Sequence, residues 1–437
     1  MRDLTSRLRE IVRQKPPGAQ PPARELTYVP DLAADGSDAA HEAASRLGGR
    51  LHRAGHSNCV VLDRRWDAGD WYGRKQVATL ELESDAPLGL FDRRLNLQSD
   101  WSSRIVFFDI ETTGLSGGAG TLAFLAGCGW FEDGGFHVRQ FFLVGPAGER
   151  ALLDALTEVF QSASLLVTYN GRTFDVPTMD TRWAFHRSES PTAVPHFDML
   201  PPARRLWSDA PAGCSLSALE REVLGVYRLR DVPGLEIPSR YFQFLRTGNP
   251  AVVDGVIEHN RHDLLSLAAL TAHAVWLARE GPDACREASE RAGLGRLYEN
   301  AGDADRAAYA YKLAADSGGP EVRRTALSRL AVLLRRQDRH QESAAAWQSV
   351  LELAPRETGA LDPLDRRAAL ALAIHHEHRA RNLDLAKEYA SALRAESRGR
   401  AREDAEYRLR RLERKRTSRP AGARKDLGFR ELDLDYD

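Results

Sequence analysis

The chain has 437 residues, of which 43% are hydrophobic and 28% charged, with a formal net charge of -1. That length suits two or three domains, and the composition excludes fibrous and wholly disordered classes; with charge so balanced, any nucleic-acid-binding surface must be local. Cys59, Cys128, Cys214 and Cys285 are too scattered for a disulfide framework or a zinc knuckle, and no window has the length and apolarity of a membrane span. A cytoplasmic protein without membrane association is expected.

The opening "MRDLTSRLREIV" reads as a short amphipathic helix, and "RQKPPGAQPPARE" as a proline-rich linker, together covering 1–44. Residues 45–100, with "NCVVLDRRW" and "QVATLEL", read as a small β-rich extension. Three strands then follow: one ending in "RIVFFDIETTGLSGGAG", then "TLAFLAGCGWF" and "FHVRQFFLV", joined by glycine-rich turns as an antiparallel meander. "GERALLDALTEVFQSA" switches to helical period, "SLLVTYN" returns to a strand, and proline-broken helices run to "NRHDLLSLAALTAHAVWLARE". This order predicts an α/β domain over 101–282. Its expected core is a mixed sheet of ribonuclease H type, with three antiparallel strands plus parallel ones, flanked by helices.

Beyond the "GPDA" break the chain becomes helical throughout, and 286–397 aligns with itself at an offset of 36 residues. Leu294, Gly295, Tyr298, Ala307, Tyr311 and Ala314 recur as Leu330, Ala331, Leu334, Ser343, Trp347 and Val350, and a looser third copy carries Ala386 and Ala390. These units resemble tetratricopeptide repeats, which implies an all-α repeat domain and a surface for a protein partner. Residues 398–437 read as a basic helix with a charged tail, either a solvated cap or a nucleic-acid contact.

The chemistry-bearing residues lie at three places. Asp109 and Glu111 are two apart at the exit of an apolar strand, so they share a face, where their repulsion and desolvation would be relieved by a divalent cation. Asp175, in "YNGRTFDVP", follows a second strand; capping a helix opened by Pro177 would explain it equally well. His259 and Asp263, in "HNRHD", are four apart and so share a helix face; an acid in a first helical turn can also simply complement the helix dipole.

"FDIETTG", "YNGRTFDVP" and "HNRHD", in this order, resemble the three motifs of the DEDD superfamily of ribonuclease H-like 3'-to-5' exonucleases. "ETTGLSGGAGTLAFLAGCGWF", "HFDMLPPARRLW", "CSLSALE" and "VPGLEIPSRYF" resemble more narrowly the bacterial YprB-type ribonuclease H-like proteins, over about 45–280. The resemblance implies that Asp109, Glu111, Asp175 and Asp263 bind two divalent ions, magnesium or manganese, for hydrolysis of DNA or RNA. Thr112, Thr113 and Gly114 follow the first acids, where backbone at the turn can approach a terminal nucleotide or the glycine can simply permit the turn, and Asn170 can either bond substrate or tie the strand end. One position departs: His259 precedes Asp263 by four residues, the spacing of the superfamily's tyrosine subgroup, while the histidine-subgroup position is Glu258. His259 can nonetheless serve as general base, because imidazole titrates near neutrality, or it can be a helix-start histidine that only contacts substrate. The competing expectation is a noncatalytic nucleic-acid-binding scaffold that recruits a protein through its repeats.

Overall fold

The computed structural model of the chain describes residues 36–95, 97, 100–114, 120–208, 212–229, 231–354 and 361–417. The expected opening helix, most of the proline-rich segment and the acidic tail lie outside the described residues.

Helix α1 (Gly36–Arg46) leads into strands β1 (Arg50–Ala54) and β2 (Ser57–Trp66), followed by a small hairpin, β3 (Trp71–Tyr72) and β4 (Lys75–Gln76). The meander is β5 (Ile105–Thr112), β6 (Ala123–Glu132) and β7 (Gly135–Phe142). Helix α2 (Glu149–Ser162), β8 (Leu165–Thr168), α3 (Asp175–Phe185), β9 (His196–Asp198), α4 (Leu200–Trp207), α5 (Ile237–Thr247) and the long α6 (Asp254–Glu280) complete this part.

Seven strands form one sheet in the order β1-β2-β7-β6-β5-β8-β9, antiparallel from β1 to β5 and parallel from β5 to β9. This is the mixed ribonuclease H-like sheet. Segment 45–100 is not a separate layer: β1 and β2 extend the main sheet, because β2 pairs with β7 from Val60–Phe142 to Trp66–Phe136. Only β3 and β4 stand apart.

Strand β5 sorts its residues by parity, as a pleated backbone must. Val106, Phe108 and Ile110 pack in one core with Leu152, Leu156 and Phe160 of α2, while Ile105 and Phe107 pack in the other with Leu264, Leu265 and Leu267 of α6. Asp109 and Glu111 continue the second set, so they emerge facing α6.

From 288 the described residues carry helices and no strands: α7 (Ala288–Ala301), α8 (Ala304–Ser317), α9 (Pro320–Arg336), α10 (His340–Glu352), α11 (Pro363–His378), α12 (Leu383–Glu396) and α13 (Arg400–Thr417). The 36-residue offset has a packing counterpart. Gly295 lies under the Tyr311 ring, where an added Cβ would sit 2.6 Å away, and Ala331 shares a core with Trp347. Helix α7 docks on α4: Gly293 leaves no room for a side chain against the Leu206 backbone, Trp207 Nε1 donates to Glu290 at 3.2 Å, and Arg296 Nε donates to the Arg205 carbonyl at 2.8 Å.

The last helix is clasped to α11 through Glu377. Its side chain is fully buried and accepts bonds from Arg408 (2.9 Å), Arg411 (2.5 Å) and Lys415 (2.7 Å). Burial alone would raise this carboxyl, but the bonds from Arg411 and Lys415 outweigh it and hold the pKa at about 2. The clasp therefore stabilises the fold fully above the ordinary glutamate pKa and is lost as pH falls toward 2. Glu377→Gln should cost on the order of 2 kcal/mol at neutral pH, and the gap to wild type should close between about pH 4.5 and pH 2 in denaturant titrations.

Candidate functional site

The site forms where the end of β5 meets the first turns of α6. Asp109 is partly buried, and its carboxylate accepts from Asn260 Nδ2 at 2.8 Å. Asn260 is itself fixed by Gln140, whose Nε2 donates to Asn260 Oδ1 at 2.8 Å and to the Ile257 carbonyl at 2.9 Å. Such close approach of α6 to the sheet needs glycine at 127. Gly127 pairs with Asp109 across β5 and β6, and a Cβ there would lie 2.2 Å from Asn260 Oδ1. A break in register between Glu111 and Thr112 then ends regular pairing where β5 leaves the sheet.

Asp175 is the first residue of α3 and is 5% exposed. Its Oδ1 accepts from the backbone N–H of Ile110 at 3.3 Å, which sets it beside Asp109 instead of leaving it in solvent at the helix start. On α6, His259 Nε2 stands 3.5 Å from Asp263 Oδ2, as their spacing on one helix face requires. His262 is turned away, stacked on Tyr72 with ring centroids 6.4 Å apart.

The four acids repel one another. Burial, then the charges of Asp263, Asp175 and Glu111, pushes the Asp109 carboxyl well above its usual range. Glu111 is raised in the same way, by burial and then by Asp263 and Asp175. Asp175 is pushed up to about 7, chiefly by burial, with Asp198 and Asp263 adding to it against the hydrogen bonds it accepts. The Glu111 carboxylate accepts no hydrogen bond from the described residues.

Sequence reading missed several partners. Arg228, with a side chain only 5% exposed, pairs with Asp263, with Glu220 and, at 3.6 Å, with Asp231. Asp231 Oδ1 lies 2.8 Å from His259 Nδ1, an arrangement that holds the Nδ1 proton and leaves Nε2 on the Asp263 side. Ser266 donates to Glu220 and is hydrogen-bonded to the Tyr72 hydroxyl, so the network runs on to the β3–β4 hairpin. Asn260 had a signal, since it lies three residues before Asp263 in "HNRHD". Arg228 and Asp231 had none: they reach the site across 35 and 28 residues of chain.

The expected substrate contacts are placed differently from one another. Thr112 is buried, with its hydroxyl donating to the Gly114 carbonyl at 2.8 Å, and Thr113 Oγ1 accepts from Leu122 N–H at 3.1 Å. Both side chains close the β5–β6 connection next to Gly114. Asn170, at φ +68°, is exposed and lines an open cavity of about 470 Å³ with Tyr169, Leu200, Arg204, Cys214 and Ser215. Asp198 ties that region together, accepting from the backbone N–H of Asn170 (2.8 Å), Leu200 (3.0 Å) and Arg172 (3.1 Å).

No group of three or more His, Cys, Asp or Glu side chains among the described residues is gathered to hold a metal ion as it stands. Asp263 is turned to Arg228. The donor set still fits a hard divalent cation: Asp109, Glu111, Asp175 and Asp263 offer only oxygen, the first three have raised pKa values with Asp175 buried and the other two partly so, and a bound cation would relieve the repulsion.

An acid whose folded pKa is raised favours folding only in its protonated form. That favour is complete below the unfolded value and is lost as pH climbs through the folded one. Metal-free protein should therefore lose stability between about pH 4 and pH 7, by a few kcal/mol for Asp175 alone. In thermal melts, Asp175→Asn should flatten that decline, and millimolar manganese should raise the wild-type midpoint at pH 8 more than that of the variant.

Residues 106–275 match the RNase_H superfamily. The chain is 34% identical over 251 residues to the "Uncharacterized protein YprB" of Bacillus subtilis (strain 168), an alignment covering 57% of this chain and 60% of that protein. A family B DNA polymerase from the archaeon Pyrobaculum calidifontis aligns over 48% of this chain and 29% of its own, at 14% identity and a TM-score of 0.33. No helix among the described residues is long and apolar enough to cross a membrane. With five strands of the mixed sheet and its acids at the end of β5, the segment that matches this superfamily has an RNase H-like fold.

Proposed function

We propose that the protein is a divalent-metal-dependent nuclease, acting as a 3'-to-5' exonuclease on DNA or RNA in the cytoplasm. The observation that carries this reading is the convergence of Asp109, Glu111, Asp175 and Asp263, from β5, α3 and α6, into one cluster in which the charges of the others raise the Asp109, Glu111 and Asp175 carboxyls. Nothing in the packing of a scaffold calls for such a cluster, since buried acids without compensation destabilise a fold.

The four carboxylates would hold two magnesium or manganese ions, with Asp263 released from Arg228. The chemistry gained when such ions are bound is activation of water at neutral pH and stabilisation of the leaving oxygen. His259 takes the proton of the attacking water at Nε2, while Asp231 fixes the ring through Nδ1. Asn260 holds the Asp109 carboxylate in a fixed orientation. Asn170 and Arg204, which line the open cavity, would meet the terminal nucleotide and its phosphate. The helical hairpins from α7 to α12 act as tetratricopeptide-like repeats that take a protein partner.

One observation favours a second reading. The Arg228–Asp263 ion pair occupies one of the four acids, as a noncatalytic nucleic-acid scaffold would permit. The two readings part in an assay of 3'- and 5'-labelled single- and double-stranded DNA and RNA with magnesium, manganese or chelator. The nuclease reading expects a cation-dependent ladder from the 3' end, lost at least about 100-fold in Asp109→Asn. His259→Ala should slow turnover by about 100-fold or more, with partial retention in His259→Tyr. Equal activity of wild type and Asp109→Asn would overturn it.

A further inference from the structure

The hairpin β3–β4 has no place in the main sheet, yet it is built onto the acidic site. Tyr72 faces inward, its hydroxyl bonded to Ser266 and its ring stacked on His262, one residue from Asp263. Because side chains alternate along a strand, its neighbour Trp71 points outward and is 68% exposed. The turn of the hairpin presses against the segment that carries Arg228. Gly73, at φ +57°, leaves no room for a Cβ beside the Leu224 carbonyl, and Arg74 Nε packs 3.0 Å from where a Cβ of Gly225 would stand.

The Arg228 segment repeats the pattern. Val226 and Val232 are buried and Arg228 reaches in to Asp263, while Tyr227 and Leu229, on either side of it, are 74% and 94% exposed. Farther along α6, Lys75 Nζ sits 5.0 Å over the ring of Trp276, itself partly exposed. From Asp263 to Trp276 is 13 residues, about 20 Å of helix. Arg74 and Lys75 form no ion pair with an acid among the described residues.

The exposed aromatics Trp71 and Tyr227, both carried on segments bonded to the acidic site and with Arg74 beside them, match one ligand chemistry. Bases of a single strand present π-faces for stacking and phosphates for pairing, whereas a duplex hides its base faces. We propose that Trp71, Arg74, Tyr227 and Leu229 form a track that binds single-stranded nucleic acid and leads its end to the acidic site. The direction of travel rests on the nuclease reading; the binding does not.

The test is fluorescence anisotropy with full-length Asp109→Asn protein, in chelator, against short labelled single-stranded DNA, single-stranded RNA and blunt duplex. Trp71→Ala and Tyr227→Ala should each weaken single-strand binding about ten-fold, with Trp71→Phe retaining most of it and duplex binding little changed. Arg74→Gln should make the affinity less salt-dependent. Comparison of the DNA and RNA arms identifies the preferred strand. Both side chains are exposed, so equal melting temperatures will show that the variants are folded. Wild-type affinity in the double variant Trp71→Ala/Tyr227→Ala, tighter binding of duplex than of either single strand, or no binding at all would overturn the proposal. Hydrolysis by the unmutated chain together with unchanged affinity in the double variant would sink the track and keep the nuclease. Affinity lost in the double variant without hydrolysis by the unmutated chain would do the reverse.

Discussion

Repulsion among Asp109, Glu111, Asp175 and Asp263 is the constraint around which the rest of the site is arranged. Three of these carboxyls, one buried and two partly so, are shifted upward, and the fourth is held by an arginine. A fold keeps such a cluster only if something compensates it. Here the compensation is partial and comes from several elements: Asn260 on Asp109, the Ile110 backbone on Asp175, and Arg228 on Asp263.

That arrangement explains why the sheet and α6 must meet so closely. Asn260 reaches Asp109 only because β6 has Gly127 in the facing position, and Asn260 keeps its orientation only because Gln140, on β7, binds its other end. Three neighbouring strands thus hold one carboxylate in place. On the other flank, Arg228 joins Asp263 to Glu220, Ser266 and Tyr72, so an irregular segment and a two-residue hairpin are coupled to the same acid. Buried ionic networks of this kind are sensitive to the loss of any member, because the remaining charge is left without a partner.

The strand acids were legible from local pattern. Alternation along β5 places Asp109 and Glu111 with Phe107, on the side that packs against α6, and the helical spacing of His259 and Asp263 predicts their 3.5 Å approach. The mixed sheet was legible from the order of periodicities. The membership of β1 and β2 in that sheet was not, since pairing of β2 with β7 spans more than 70 residues and leaves no trace in either segment alone. The side-chain partners of Thr112 and Thr113 were not legible either. Their side chains close a turn, and nothing in "ETTG" separates a hydroxyl that binds its own backbone from one that faces a ligand.

The sequence by itself determined which residues carry charge, which strand faces hold them, and that the chain splits into a sheet-based part and a helical part repeating at 36 residues. These follow from periodicity, a property of neighbours along the chain. Only the tertiary structure decided which partners stabilise each acid: Arg228 on Asp263, Asp231 on His259, Asn260 and Gln140 behind Asp109. Electrostatic energy depends on distance and burial, and both are set by contacts between segments far apart in sequence.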